Sequence, residues 1–204
     1  NGNSYIDIYV RHLLKYYAKK KKIYNFRKGP IGNDEIAFDT KGTNIPCGSI
    51  MRSPFKEYHT DQDNIQAINE KNFEETFNFI NDLIFIFENN SYIYGNFESL
   101  PRFSNKDYDL YLSPSNVSGI NSDKYNLLHN LITKNITPKI KKKLNFKNFN
   151  YLMNLIPIMS EGKHTVLDIA EKSDLPFSFV YNYLNLCSKK KILNLKWKYP
   201  FKKN

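Results

Sequence analysis

The polar side chains of this sequence crowd around one histidine. His59 stands in Arg52-Ser-Pro-Phe-Lys-Glu-Tyr-His-Thr-Asp-Gln-Asp-Asn64, a loop that follows the apolar run Ile45–Met51. An imidazole beside Thr60, Asp61 and Asp63 can have one tautomer fixed by a neighbouring acceptor, as a metal-ligating histidine requires. A loop beyond the end of a strand is also where layered α/β folds place their sites. The other histidines have blander surroundings. His12 falls on a helical stretch, His129 in an apolar-periodic one, and His164 in a turn. All three are expected to be surface or structural residues. Cys47 has no histidine partner in view and is expected to be a small core residue of a buried strand.

The elements that must position these residues follow from periodicity. Tyr5–Tyr17 carries Ile6, Val10, Leu13, Leu14 and Tyr17 at helical spacing and runs into the basic stretch Lys19–Lys22, which suits a helix C-terminus. Ile23–Phe26 reads as a short strand, Gly29–Asn33 as a loop, and Ile45–Met51 as a buried strand. Asn72–Phe87 reads as a long helix with Phe73, Phe77, Ile80, Ile84 and Phe87 along one side. This alternation predicts an α/β layered domain over residues 1–92. Residues 93–123, rich in Tyr, Ser and Asn, read as a connector with short strands.

Residues 124–204 carry a different pattern. Tyr125–Thr133 and Phe149–Ile156 are apolar-periodic helices separated by the basic patch Lys139–Lys143. Thr165 then caps a short helix Val166–Lys172, a turn follows at Ser173–Leu175, and a second helix starts at Pro176, where a missing N–H costs nothing. Ile192, Leu193, Leu195 and Trp197 suggest a closing strand. Helix, turn, helix and strand at these lengths predict an α+β winged helix-turn-helix domain.

Charge divides along the same line. Residues 1–92 hold 12 basic and 12 acidic side chains, while residues 93–204 hold 18 basic and 8 acidic ones. The basic half could face an anionic partner, or simply be a solvated lysine-rich face. Lysines outnumber arginines 26 to four, a bias that AT-rich codons produce. Two cysteines make no disulfide framework and point to a reducing, cytoplasmic compartment. No apolar run approaches the roughly eighteen residues of a membrane span. The chain starts at Asn1 rather than Met, so either its start is processed or it is the tail of a longer chain.

Three short segments, taken in order, resemble a known superfamily. They are Asn33-Asp34-Glu35, Asn44-Ile-Pro-Cys-Gly-Ser49 and Tyr58-His-Thr-Asp-Gln-Asp-Asn64. Together they are similar to the C-terminal part of the co-catalytic zinc aminopeptidases. There a Ser-Asp-x-x-x-Phe-like segment, a Gly-Ile-Pro-like strand and a Tyr-His-Thr-x-x-Asp element recur in this order. The match is closer to a bacterial aminopeptidase-like family with Gly-x-Asp-Glu, Leu-Pro-x-Gly-Ser-x-Met-Arg and Glu-Tyr-His-Thr. Members of that family end in a winged helix, and some accompany surface-polysaccharide biosynthesis genes.

The resemblance implies the C-terminal portion of a three-layer α/β zinc-peptidase-like domain, followed by the winged helix. His59 would be a zinc ligand, and Asp34 a carboxylate behind the metals, near the catalytic water or substrate amine. Arg52, Glu57, Tyr58 and Asp63 would orient the loop or border the pocket for a peptide or amide-bearing substrate. Asn33 departs from the superfamily's Ser but leaves the carboxylate in place. Paired zinc ions about 3.5–4 Å apart would activate water and hold the oxygens of the transition state. That needs several His, Asp and Glu ligands and a general-base Glu, yet only Asp7 and His12 precede Asp34. One histidine cannot hold a catalytic zinc, which takes about three protein ligands. The expectation is therefore a fragment that is inactive by itself and completed by an upstream half. Two other readings stand beside it. One is a winged-helix nucleic-acid-binding or protein-interaction protein, with Ser178, Tyr181, Asn182 and Asn185 facing outward and lysines for phosphates. The other is a binding protein that kept a peptidase fold and lost its metals.

Overall fold

The computed structural model describes residues 3–17, 35–38, 40–43, 45–51, 54–112, 122–145 and 147–197. The strand expected at Ile23–Phe26 and the loop expected at Gly29–Asn33 lie outside them. The chain divides into two compact units, Asn1–Leu83 and Ile84–Asn204. It is a mixed α/β protein with a small antiparallel sheet. Among the described residues no helix is long and apolar enough to cross a membrane.

The first unit is built on two helices. Helix α1 (Tyr5–Tyr17) opens on a capping arrangement in which the Ser4 N–H donates to Asp7 at 3.0 Å and the Asp7 N–H donates to the Ser4 hydroxyl at 3.4 Å. Its buried face is Tyr9, His12, Leu13, Tyr16 and Tyr17, rotated from the expected Ile6–Val10 side, which is half-buried. Four of these five are aromatic, and rings with polar ends outcompete the smaller aliphatic side chains for the interior. A single helical turn, α2 (Glu35–Phe38), and a 3₁₀ turn (Ile65–Ala67) precede the long helix α3 (Glu70–Asn89). Tyr17 and Phe79 meet edge to face at 5.2 Å, and the Tyr17 hydroxyl donates a short hydrogen bond to Asp82.

Two expectations fail in this unit. Ile45–Met51 is neither a strand nor buried: it has no ladder partner, and Ile45, Ile50 and Met51 are all exposed. A strand exists only where a neighbour satisfies its N–H and C=O groups, and among the described residues of this unit no strand offers them. Cys47 is accordingly exposed, not a core residue. On α3, Phe73, Phe77, Ile80 and Ile84 do share one side, but that side faces solvent, while Phe79, Leu83 and Ile86 are buried.

The second unit is organised around a buried helix. Strand β1 (Ser91–Gly95) is followed by turns through Tyr108, then α4 (Ser122–Thr133), α5 (Pro138–Lys141) and α6 (Asn148–Met159). Strand β2 (Glu161–Thr165), α7 (Val166–Ser173), α8 (Phe177–Lys189) and β3 (Leu193–Trp197) complete it. The sheet order is β2-β1-β3, antiparallel throughout. Residues 93–95, within the stretch whose composition reads as a connector with short strands, belong to the central strand. The polar run Glu161-Gly-Lys-His-Thr165 gives no apolar alternation, yet it forms an edge strand that carries His164.

The capping predicted for α7 is present in full. The Asp168 N–H donates to the Thr165 hydroxyl at 3.3 Å and the Thr165 N–H donates to the Asp168 carboxylate at 2.7 Å. Asp174 ends the helix in left-handed backbone, and Pro176 opens α8. From α8, Phe179 stacks on Phe149 at 4.6 Å, and the Tyr183 hydroxyl donates to the Leu110 carbonyl at 2.7 Å.

Burial holds the Asp82 carboxyl above its ordinary 3.8, although the Tyr17 hydrogen bond opposes the shift. The folded form therefore holds a proton that the unfolded chain has already lost in the window just above pH 3.8. Stability contributed by this group is present below that window and is lost as pH rises through the raised folded value. Urea unfolding across the acid range should show this decline with rising pH. Asp82→Asn should flatten it, and an unchanged pH profile in the variant would refute the assignment.

Candidate functional site

The loop from Phe55 to Ala67 braces itself. The Thr60 N–H and the Thr60 hydroxyl both donate to the Glu57 carbonyl, at 3.0 and 2.6 Å. The same hydroxyl accepts from the Gln62 N–H at 3.2 Å, and the Thr60 carbonyl accepts from the Asp63 N–H at 3.2 Å. Asn64 closes the far end. Its side-chain oxygen accepts from the Gln66 N–H at 3.0 Å and its amide donates to the Asp61 carbonyl at 3.3 Å. Thr60 and Asn64 thus act as braces, a role that their polarity signals in the sequence but whose partners only the fold supplies.

Immediately before the Thr60 brace, His59 takes left-handed backbone, with φ of 63°. That conformation costs a side-chain-bearing residue about 1–2 kcal/mol, and histidine is among the types that tolerate it best. Its effect is to turn the imidazole outward: His59 is exposed, with the Tyr58 ring tilted against it at 4.0 Å. Phe55 lies 5.9 Å from Tyr58 on the other side. A strained residue kept in place by surrounding hydrogen bonds is a recurrent feature of functional positions.

The expected site residues are gathered only in part. Glu57, Tyr58, His59 and Asp63 share this loop, with Glu57 half-buried and the other three exposed. Asp34 and Arg52 lie outside the described residues. Among the described residues no group of three His, Cys, Asp or Glu side chains converges to hold a metal ion. Zinc takes three or four protein ligands. The described donor set therefore does not by itself make a zinc site, and His59 could supply one ligand of a set.

The side chains singled out on α8 have other duties. The Asn182 amide donates to the Ile132 and Lys134 carbonyls at 2.6 and 3.2 Å, tying down the end of α4. Tyr181 packs against Phe85 and Phe177. No residue from Phe177 to Ser188 is fully exposed. A cleft of about 370 Å³ in this unit is lined by Gly95, Phe97, Glu98, Leu100, Pro157 and Glu161, and shares no residue with the His59 loop.

Comparison with known proteins places the chain beside peptidase-like relatives. A family model described as a domain of unknown function, DUF4910, matches residues 1–90. A protein of Clostridium acetobutylicum is 27% identical over 179 residues, covering 86% of this chain and 34% of its own length. Its provisional name is polysaccharide biosynthesis protein with aminopeptidase-like domain. A crystal structure of a provisionally named peptidase from the same organism shares the fold, with a TM-score of 0.61 and 23% identity. It covers 95% of this chain but 36% of the solved chain. The chain thus spans about a third of the length of the relatives it matches.

Removing the hydroxyl brace should loosen the loop without unfolding the protein. Thr60→Val deletes two hydrogen bonds, and a net loss of about 1 kcal/mol corresponds to roughly fivefold faster exchange of the Gln62 amide. Exchange measured by NMR that stays at the parent rate would show that the brace carries no load.

Proposed function

We propose that this chain is the C-terminal part of a zinc-dependent aminopeptidase-like hydrolase that cleaves a peptide or another amide and is linked to surface-polysaccharide biosynthesis. The observation that carries this reading is His59, held outward in left-handed backbone by a loop that hydrogen-bonds to itself. The provisional names of the relatives and the fold shared with a solved peptidase-like structure support it.

Within that reading, the unit described here contributes one imidazole, with Glu57, Tyr58 and Asp63 bordering it, and Asp34 and Arg52 completing the rear of the pocket. The remaining metal ligands and the general base belong to the part of the protein that this chain does not span. The isolated chain is then inactive.

Residues 124–204 are read as a winged helix-turn-helix built for packing. Support comes from the burial of α8, from the commitment of Asn182 to the end of α4, and from β1, which fills the place between the two strands flanking the helix pair. A helix that reads base edges must offer side chains to a groove. The first exposed residue of α8 is Lys189, at its end.

In the complete protein His59→Ala should lower the bound zinc, measured by elemental analysis, by one equivalent per chain, and hydrolysis of amide substrates should fall with it. Zinc content equal to that of the parent protein would overturn the assignment of His59.

A further inference from the structure

The apolar surface of the first unit is too extensive for a finished domain. Among its described residues eleven large apolar side chains are exposed and six are buried. On α3 the exposed ones, Phe73, Phe77 and Ile80, recur at intervals of four and three, and Ile84 continues the row. This is the spacing of a seam that another element covers. A second side of the same helix, about a third of a turn away, is already buried through Phe79, Leu83 and Ile86. A helix apolar on two separate sides belongs in the interior of a layered structure. Exposure is not confined to the helix: Ile45, Ile50 and Met51 are exposed as well, on a segment that forms no strand.

We infer that the Phe73–Phe77–Ile80 side of α3 and the Ile45–Met51 segment form one internal face, covered in the complete protein by the remainder of the same polypeptide. This rests on the reading of the chain as part of a longer hydrolase. The relatives set the identity of the occupant. Each is about three times as long as the matched stretch, and 95% of this chain superposes within 36% of the solved one. A second copy docking through α3 alone would cover the helical seam and leave Ile45, Ile50 and Met51 in water.

The two cysteines supply the test without any substitution. Cys47 lies on the exposed segment, whereas Cys187 is fully buried and its thiol is pushed up to about 12. In the 204-residue chain a disulfide reagent should therefore modify Cys47 and spare Cys187. In the protein made from the whole reading frame, Cys47 should react at least about tenfold more slowly, read peptide by peptide by mass spectrometry. A thiol introduced by Phe77→Cys should show the same protection. Cys47 and Phe77→Cys reacting as fast in the complete protein as in the shorter chain would overturn the inference. So would a reading frame that adds nothing to these residues. Protection already present in the 204-residue chain and lost on dilution would assign the face to a second copy and overturn it as well. Zinc content is read independently, so loss of the metal assignment at His59 leaves this outcome untouched.

Discussion

Burial of α8 is the constraint on which the second unit depends. Of its thirteen residues, Phe177–Lys189, one face is fully buried through Phe177, Phe179, Val180, Tyr183, Leu184 and Cys187. Phe149 stacks on it from α6, Leu110 accepts the Tyr183 hydroxyl, and Asn182 reaches the last carbonyls of α4. Each of these contacts satisfies a polar group or fills volume that would otherwise be a void, and protein interiors tolerate neither orphaned polar atoms nor gaps. Six side chains of α8 are buried and six more are half-buried, so little of the helix before Lys189 is presented fully to solvent.

Where local chemistry decides an element, the sequence announces it. Thr165 with Asp168 three residues on, Pro176 at a helix start, and the 3.6-residue rhythm of Tyr5–Tyr17 and Phe149–Ile156 all correspond to observed helices. Elements that depend on distant partners stay hidden. Strand β2 is Glu161-Gly-Lys-His-Thr165, and nothing in that composition calls for a strand until β1 supplies its hydrogen bonds. Gly162 in that strand has positive φ, and the Tyr94 ring lies across it so closely that a β-carbon would collide with the ring. The glycine is legible as a glycine, but the tyrosine that demands it is 68 residues away. Ile45–Met51 fails in the opposite sense: its β-prone composition is real, and among the described residues of its unit no strand pairs with it.

The candidate site shows the same split between local and distant information. The crowding of Thr60, Asp61, Asp63 and Asn64 near His59 is legible, but not which of them brace the loop: Thr60 and Asn64 do so through their side chains, Asp61 and Asp63 through backbone groups. The left-handed backbone at His59 is not legible, because any of several residues in that stretch could take the strained position. A metal centre is less legible still. Its ligands come from segments far apart in sequence, and one histidine on one loop leaves the geometry of the others undetermined.

Helix α3 unites these observations physically. Its burial of Phe79 against Tyr17 and its Asp82–Tyr17 hydrogen bond fix one side within the first unit, so that side cannot also turn outward to relieve the exposure of the other. Rotating the helix by about a third of a turn would bury Phe73, Phe77 and Ile80 only by releasing Phe79 and Leu83 and leaving the Asp82 carboxyl without its donor. The two apolar sides are in this sense incompatible with any rearrangement of two helices alone. On the inference drawn above, a third layer would resolve the conflict by covering the open side without disturbing the closed one. Stacking helices and sheet into layers is how α/β domains bury helices that are apolar on two sides. The outward imidazole of His59 belongs to the same unit. On the proposed reading the loop and the seam would be parts of one domain, the loop offering one metal ligand and the helix the face on which the rest is built.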